Sequence, residues 1–308
     1  MLIKMVKKRT FLILSSLIIL LIVYLFPTKK EDKTYIQNEQ SDFNIVYLID
    51  QNNLLSRVSV VTKNTNLENK IKEVTDYLTI SSAKNSYISE GFTPIIPKGT
   101  KLLYFKIDED HLTLNFSKKL LTISENDEKK LISALVYTYT SIDGINKITI
   151  YVEGNLLDKL PHSNEKIPQE LDKSYGINQI YNITDIIGTT KTTIYYLSKY
   201  KDYYYYVPVT IVNNDKNDKV EIILSELASK SVYETSLISY LKDVREISYE
   251  MENDFLTLNM SKKLFNDLYE ANLIEKVVYT INLSLKENYK HKKVIYYIDN
   301  ELYQTYDF

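Results

Sequence analysis

The string "LTLNFSKKL" occupies residues 112–120 and returns as "LTLNMSKKL" at 256–264, with Phe116 against Met260 as the single difference. A near-identical nonapeptide at an offset of 144 constrains the fold more than any other feature, because it marks one structural unit used twice. Other landmarks recur in the same order. "IVYLI" (45–49) is answered by "IYYLS" (194–198), "VYT" (136–138) by "VYT" (278–280), and "YVEGNL" (151–156) by "YIDNEL" (297–302). Their offsets of 149, 142 and 146 drift only as far as small loop insertions in a duplicated unit allow.

Periodicity assigns elements inside each copy. Leu67, Ile71, Val74 and Leu78 fall at helical spacing, and "TNLE" (65–68) offers a capping box of Thr65 and Glu68. Val220, Ile223 and Leu227 repeat the stripe in copy two. "LLYFKI" (102–107) and "HLTLNF" (111–116) alternate with period two around the polar "DED", which predicts a hairpin. A second helix is expected over about 126–141, with Leu131, Ile132, Leu135, Val136 and Tyr139 on its apolar side; Ile274, Val277, Val278, Ile281 and Leu285 are its counterpart. "KITIYV" (147–152) and "KKVIYYI" (292–298) read as closing strands. Each copy is therefore β-β-α-β-β-α-β. The fold class is α/β (α+β), with two tandem helix-covered sheets at 43–157 and 192–308 and a linker at 158–191.

Ahead of the copies, Lys4, Lys7, Lys8 and Arg9 precede the apolar run "TFLILSSLIILLIVYLF" (10–26), closed by Pro27. At about 1.5 Å per residue such a run spans roughly 25 Å, enough for one bilayer crossing with lysines and Tyr24 at the interfaces. The basic flank predicts a cytoplasmic tail (1–9), a transmembrane anchor (10–27), an extracytoplasmic stalk (28–42) and everything beyond it outside the membrane. "YLFPTKKED" lacks the small-x-small pattern of signal-peptidase sites, so the anchor is read as uncleaved.

Composition narrows the chemistry. The 38 basic and 40 acidic side chains nearly cancel, leaving no electrostatic case for nucleic acid. Cysteine is absent, which removes disulfides, thiolate metal sites and cysteine nucleophiles. The six glycines form no phosphate-binding or nucleophile-elbow motif, and His111, His162 and His291 are scattered without a ligand partner at metal-binding spacing. "IDEDH" (107–111) places three carboxylates together but lacks the spacing and turn glycine of a calcium loop, and reads as a solvated hairpin turn. No catalytic, cofactor or metal residues are assigned; the chain is read as a binding protein rather than an enzyme.

Two candidate interaction surfaces remain. "YYYY" (203–206) in a strand places Tyr203 and Tyr205 on one face and Tyr204 and Tyr206 on the other, so one pair enters a core while the other can stack on sugar rings or anchor an interface. The bland alternative is an aromatic-rich strand in a chain of 28 tyrosines and no tryptophan. Lys118, Lys119, Lys262 and Lys263 of the two "SKKL" strings are either solvated residues that keep a strand end soluble or a contact for anionic wall polymer or lipid headgroups.

The succession "IVYLID", "PIIPKGTKLL", "LTLNFSKKL", "ALVYTYTSIDGINKITIYVEG" resembles the GerM family of tandem GerMN domains, over essentially all of 43–308. The resemblance implies a membrane-tethered protein acting around a developing spore, with a fold similar to ring-building modules of secretion-type assemblies. It implies a tether through a lipidated cysteine, which this chain lacks; the apolar run would replace it. "PKGT" (97–100) becomes "LKDV" (241–244) in copy two, where Pro and Gly no longer preset the turn. The expected function is that of an extracytoplasmic structural or interaction protein needed for sporulation and germination, with the membrane and envelope proteins as partners and peptidoglycan as a candidate. A cell-wall glycan-binding protein outside sporulation is the alternative.

Overall fold

The computed structural model describes residues 42–307 except 64–65, 186, 230–235, 239–240, 242–243, 266–270 and 290–292. The expected anchor, the stalk up to residue 41, Thr65 and His291 lie outside the described residues, while Asp42 of the expected stalk already belongs to the first strand. No described helix is long and apolar enough to cross a membrane.

Copy one runs β1 (Asp42–Asp50), β2 (Leu55–Thr62), α1 (Leu67–Leu78), β3 (Phe92–Thr93), β4 (Leu102–Asp108), β5 (His111–Phe116), α2 (Glu128–Tyr139), β6 (Lys147–Val152) and β7 (Asn155–Leu156). After β8 (Ile180–Asn182), copy two runs β9 (Thr190–Tyr200), β10 (Tyr203–Asn213), α3 (Lys219–Ala228), β11 (Ile247–Glu252), β12 (Phe255–Met260), α4 (Ala271–Asn288), β13 (Lys293–Ile298) and β14 (Glu301–Asp307). The expected order holds, with additions: each copy ends in a further antiparallel strand, β7 or β14, and the short strands β3 and β8 join the sheet of the first hairpins. Two-residue β7 is too short for a periodic signal, and polar β14 has little apolar alternation to read.

Each copy owns a four-stranded sheet of the same order, β4-β5-β6-β7 and β11-β12-β13-β14. Outer pairs are antiparallel, while the central pair, β5 with β6 or β12 with β13, is parallel because a helix crosses between them. Ile71, Val74 and Leu78 of α1 are fully buried, as are their counterparts Val220, Ile223 and Leu227 of α3. A fully buried residue of this size contributes about 1.5–3 kcal/mol, so the stripes hold the helices to their sheets. Helix α1 begins one residue later than the capping box predicted: Asn66 is the cap, its Oδ1 accepting from Glu68 N at 2.8 Å.

The long first hairpins of the two copies belong to one six-stranded sheet. β2 meets β10 antiparallel at Arg57 opposite Tyr206, and β8 runs parallel to β10 at Ile211. The segment before β8 packs on copy one: Leu160, Ile167, Leu171 and Ile177 are buried in its core, and Ile148 and Leu171 exchange backbone hydrogen bonds at 2.8 Å. Glu128, at the start of α2, binds the same segment through the N–H groups of His162 (2.9 Å) and Ser163 (3.1 Å).

Candidate functional site at the seam between the copies

The duplicated string is a joint. Asn115 Oδ1 accepts from Gly154 N at 3.0 Å, and Asn259 Oδ1 accepts from Asn300 N at 3.1 Å. One residue beyond the following serine in each case, Lys118 N donates to Glu153 Oε1 (2.9 Å) and Lys262 N to Asp299 Oδ1 (3.0 Å). Phe116 O and Met260 O accept from the Glu153 and Asp299 N–H groups. The partners sit in two-residue hairpin loops whose four residues all have positive φ, from 49° at Glu153 and Asp299 to 67° and 79° at Asn300 and Gly154. Such loops suit Gly and Asn and are costly for most side chains. The string is thus retained because its asparagine and its backbone hold this turn, which the sequence shows only as "EG" and "DN". The side chains of Lys118, Lys119, Lys262 and Lys263 are left exposed at the two equivalent strand ends.

The tyrosine run lies on β10, beside copy one. Tyr205 is buried; its hydroxyl donates to Asp50 Oδ2 (3.0 Å) and accepts from Gln51 Nε2 (3.0 Å) and Ser198 Oγ (2.9 Å), and its ring meets Phe92 edge-on at 5.0 Å. Burial pushes this phenol up to about 12, with the Asp50 carboxylate adding to the shift. Half-buried Tyr203 donates to Glu90 O. On the opposite face Tyr206 packs edge-on against Tyr279 at 5.2 Å, and Tyr204 lies under the ammonium groups of Lys199 and Lys276 at 5.2 and 5.9 Å. Both faces of the run are therefore engaged with neighbouring elements, copy one on one side and α4 on the other.

Alongside it runs a buried polar seam that sequence inspection missed. Tyr47 of β1 and Tyr195 of β9 share a hydrogen bond between hydroxyls at 2.8 Å. Tyr195 donates to Glu287 Oε2 at 3.2 Å, and Lys173 Nζ reaches the same oxygen at 3.0 Å. Burial raises the Tyr195 phenol far above its ordinary range, and the Glu287 charge raises it further. Burial works against the Lys173 ammonium, yet the Glu287 charge outweighs it and the lysine is raised. Tyr137 closes the cluster, donating to Lys173 O at 3.1 Å and lying edge-on to Tyr47 at 5.4 Å. In each copy the first strand is pinned to the second helix by a hydroxyl: Thr138 Oγ1 accepts from Tyr47 N (3.0 Å) and Ser284 Oγ from Tyr195 N (2.8 Å). No local signal marks this seam, because its members lie on β1, α2, the segment before β8, β9 and α4 and meet only in the folded chain.

The other expected positions are local. His111 Nε2 contacts Thr149 Oγ1 at 2.8 Å and His162 Nε2 contacts Ile123 O at 2.7 Å. Asp110 of "IDEDH" accepts from Asn146 Nδ2 at 2.8 Å, and that bond holds its carboxyl below the usual range. "PKGT" forms a turn closed by Thr100 N to Pro97 O at 3.1 Å, with Gly99 at φ 83°; its copy-two counterpart lies partly outside the described residues. Among the described residues no group of three His, Asp or Glu side chains is arranged to hold a metal ion.

Comparison with known proteins agrees with this architecture. Residues 45–158 match the Germane family, described as sporulation and spore germination. The chain is 25% identical over 255 residues to the spore germination protein GerM of Bacillus subtilis (strain 168), covering 81% of this chain and 69% of that protein. The solved tandem GerMN domains of the sporulation protein GerM from Bacillus subtilis superpose with a TM-score of 0.73 at 22% identity, covering 85% of this chain and 92% of that one. The first copy is thus similar to the Germane family, and the chain as a whole is similar to GerM and has the fold of its tandem GerMN domains.

Proposed function

We propose that the chain is a membrane-tethered, extracytoplasmic structural and interaction protein of the spore envelope, needed for sporulation and germination. The observation that carries the reading is the seam. Two related domains share one sheet and a buried hydroxyl and ion-pair network, so they move as one body and present paired surfaces at a set spacing. A rigid two-module body suits a part in an assembly, because its binding surfaces lose little freedom on docking. The exposed pairs Lys118/Lys119 and Lys262/Lys263, at equivalent positions of the two copies, are proposed contacts for anionic envelope components. The basic and apolar N-terminal sequence supplies the tether in place of a lipidated cysteine. Deletion of the gene followed by counts of heat-resistant spores tests the reading: a loss restored by the intact gene supports it, and normal counts with normal germination overturn it.

A further inference from the structure

Beside the seam lies a cleft of about 550 Å³ walled by both copies. Tyr47 and Arg57 come from the first hairpin of copy one, and Tyr279, Asn282 and Glu287 from α4 of copy two. Its volume falls within the roughly 300–1,000 Å³ typical of small-molecule sites.

Two oxygens at this cleft stand out. Asn282 is only 5% exposed and its Oδ1 is buried without a hydrogen-bond partner. The Glu287 side chain is 6% exposed; its Oε2 is taken by Lys173 and Tyr195, but its Oε1 is likewise buried and unpartnered. Most buried polar groups are satisfied, and leaving one unmade costs about 1–3 kcal/mol. Two orphaned acceptors on α4, five residues apart and both on residues that line one cleft, call for an occupant that brings donors.

The remaining lining selects the chemistry. Arg57, Lys173 and Lys286 are balanced by Asp143, Glu287 and Asp307, so the cleft has no net charge to favour an ion. Glu287 is already neutralised by Lys173, and Arg57 and Lys286 offset Asp143 and Asp307, so neither an anion nor an ammonium ligand is favoured. Tyr279 and Tyr306, whose centroids are 6.1 Å apart, add aromatic surface at the same wall. Saccharides combine these properties, carrying several O–H or N–H donors and an apolar C–H face without charge.

From these observations we infer that the inter-domain cleft is a binding site for a neutral mono- or disaccharide, whose hydroxyl or amide N–H groups donate to Asn282 Oδ1 and Glu287 Oε1 while a sugar face rests on the tyrosines. The inference is independent of the envelope role proposed above.

The test is calorimetric titration of the full-length protein in detergent micelles with N,N′-diacetylchitobiose, alongside Asn282→Leu. Expected are saturable binding by the wild type and at least tenfold weaker binding by the variant. The unliganded variant should melt at or above the wild-type temperature, because the leucine removes an unsatisfied acceptor. If Asn282→Leu fails to fold, Tyr279→Leu replaces it with the same expected loss. Absence of saturable binding at millimolar sugar would mean that water alone fills the cleft, and would overturn the inference. Equal affinity of wild type and variant, or tighter binding of spermidine than of the sugar, would overturn it as well.

Discussion

Tyr47 and Tyr195, each on the first strand of its own copy, meet hydroxyl to hydroxyl at 2.8 Å, and both side chains are almost fully excluded from solvent. The bond couples the two domains at one point of the seam, and Tyr195 passes the contact on to Glu287 at 3.2 Å. Tyr47→Phe should therefore destabilise the protein by about 1–2 kcal/mol. In a double-mutant cycle with Tyr195→Phe, read by urea denaturation, the two losses should fall short of additive by roughly 0.5–1.5 kcal/mol. Strict additivity would mean that the hydroxyls do not interact.

Removing Lys173 leaves Glu287 buried and without its counter-charge. Lys173→Met should cost roughly 2–3 kcal/mol, below the ~3–5 kcal/mol of a fully buried pair because the Lys173 side chain is 34% exposed and water screens it. Adding Glu287→Leu should recover most of that loss. Thermal melts of the single and double variants decide between this outcome and a pair of no consequence.

Asn115→Ala and Asn259→Ala remove the acceptors of Gly154 N and Asn300 N. Each should cost about 1 kcal/mol, and because the two sites lie in separate sheets the losses should add. Amide exchange supplies the specific readout: protection at Gly154 should fall in the first variant and at Asn300 in the second. Unchanged exchange at both would remove the joint as the reason for the repeated string.

Glu128 gives a dependence on acidity. Burial opposes its ionisation, but hydrogen bonds from the Ser163 side chain and from the His162 and Ser163 N–H groups outweigh it and hold the carboxyl below its ordinary value. A depressed carboxyl contributes stability that is fully present above the unfolded value of about 4.3 and is lost as pH falls through the folded value. Wild type should therefore exceed Glu128→Gln by roughly 1–2 kcal/mol at pH 7, with the gap closing below about pH 4. A gap independent of pH would show that the charge is immaterial.

Much of each domain was legible because its signals are local. The stripe of Ile71, Val74 and Leu78, the alternation of Leu112, Leu114 and Phe116, and the apolar side of α2 report burial directly, and all of these side chains are buried. The helix start was misplaced by one residue because Thr65 and Asn66 are both competent caps and only backbone geometry chooses between them. Strands β7 and β14 escaped because what creates them is a turn of positive φ, held from elsewhere by Asn115 and Asn259. The tyrosine run was legible as an amphipathic surface, but its neighbours were not: Phe92 lies more than a hundred positions before Tyr205, and Tyr279 more than seventy after Tyr206.

The sequence by itself determined that a unit was duplicated, where its helices and hairpins fall, and which family it resembles, since repetition and periodicity are written along the chain. Only the tertiary structure decided that the first hairpins of the copies join one sheet, that Tyr47 finds Tyr195 and Lys173 finds Glu287, and that Asn282 and Glu287 line a common cleft. Those pairings join residues as much as 148 positions apart. No local pattern encodes them, because they depend on which faces remain to be buried once each domain has folded.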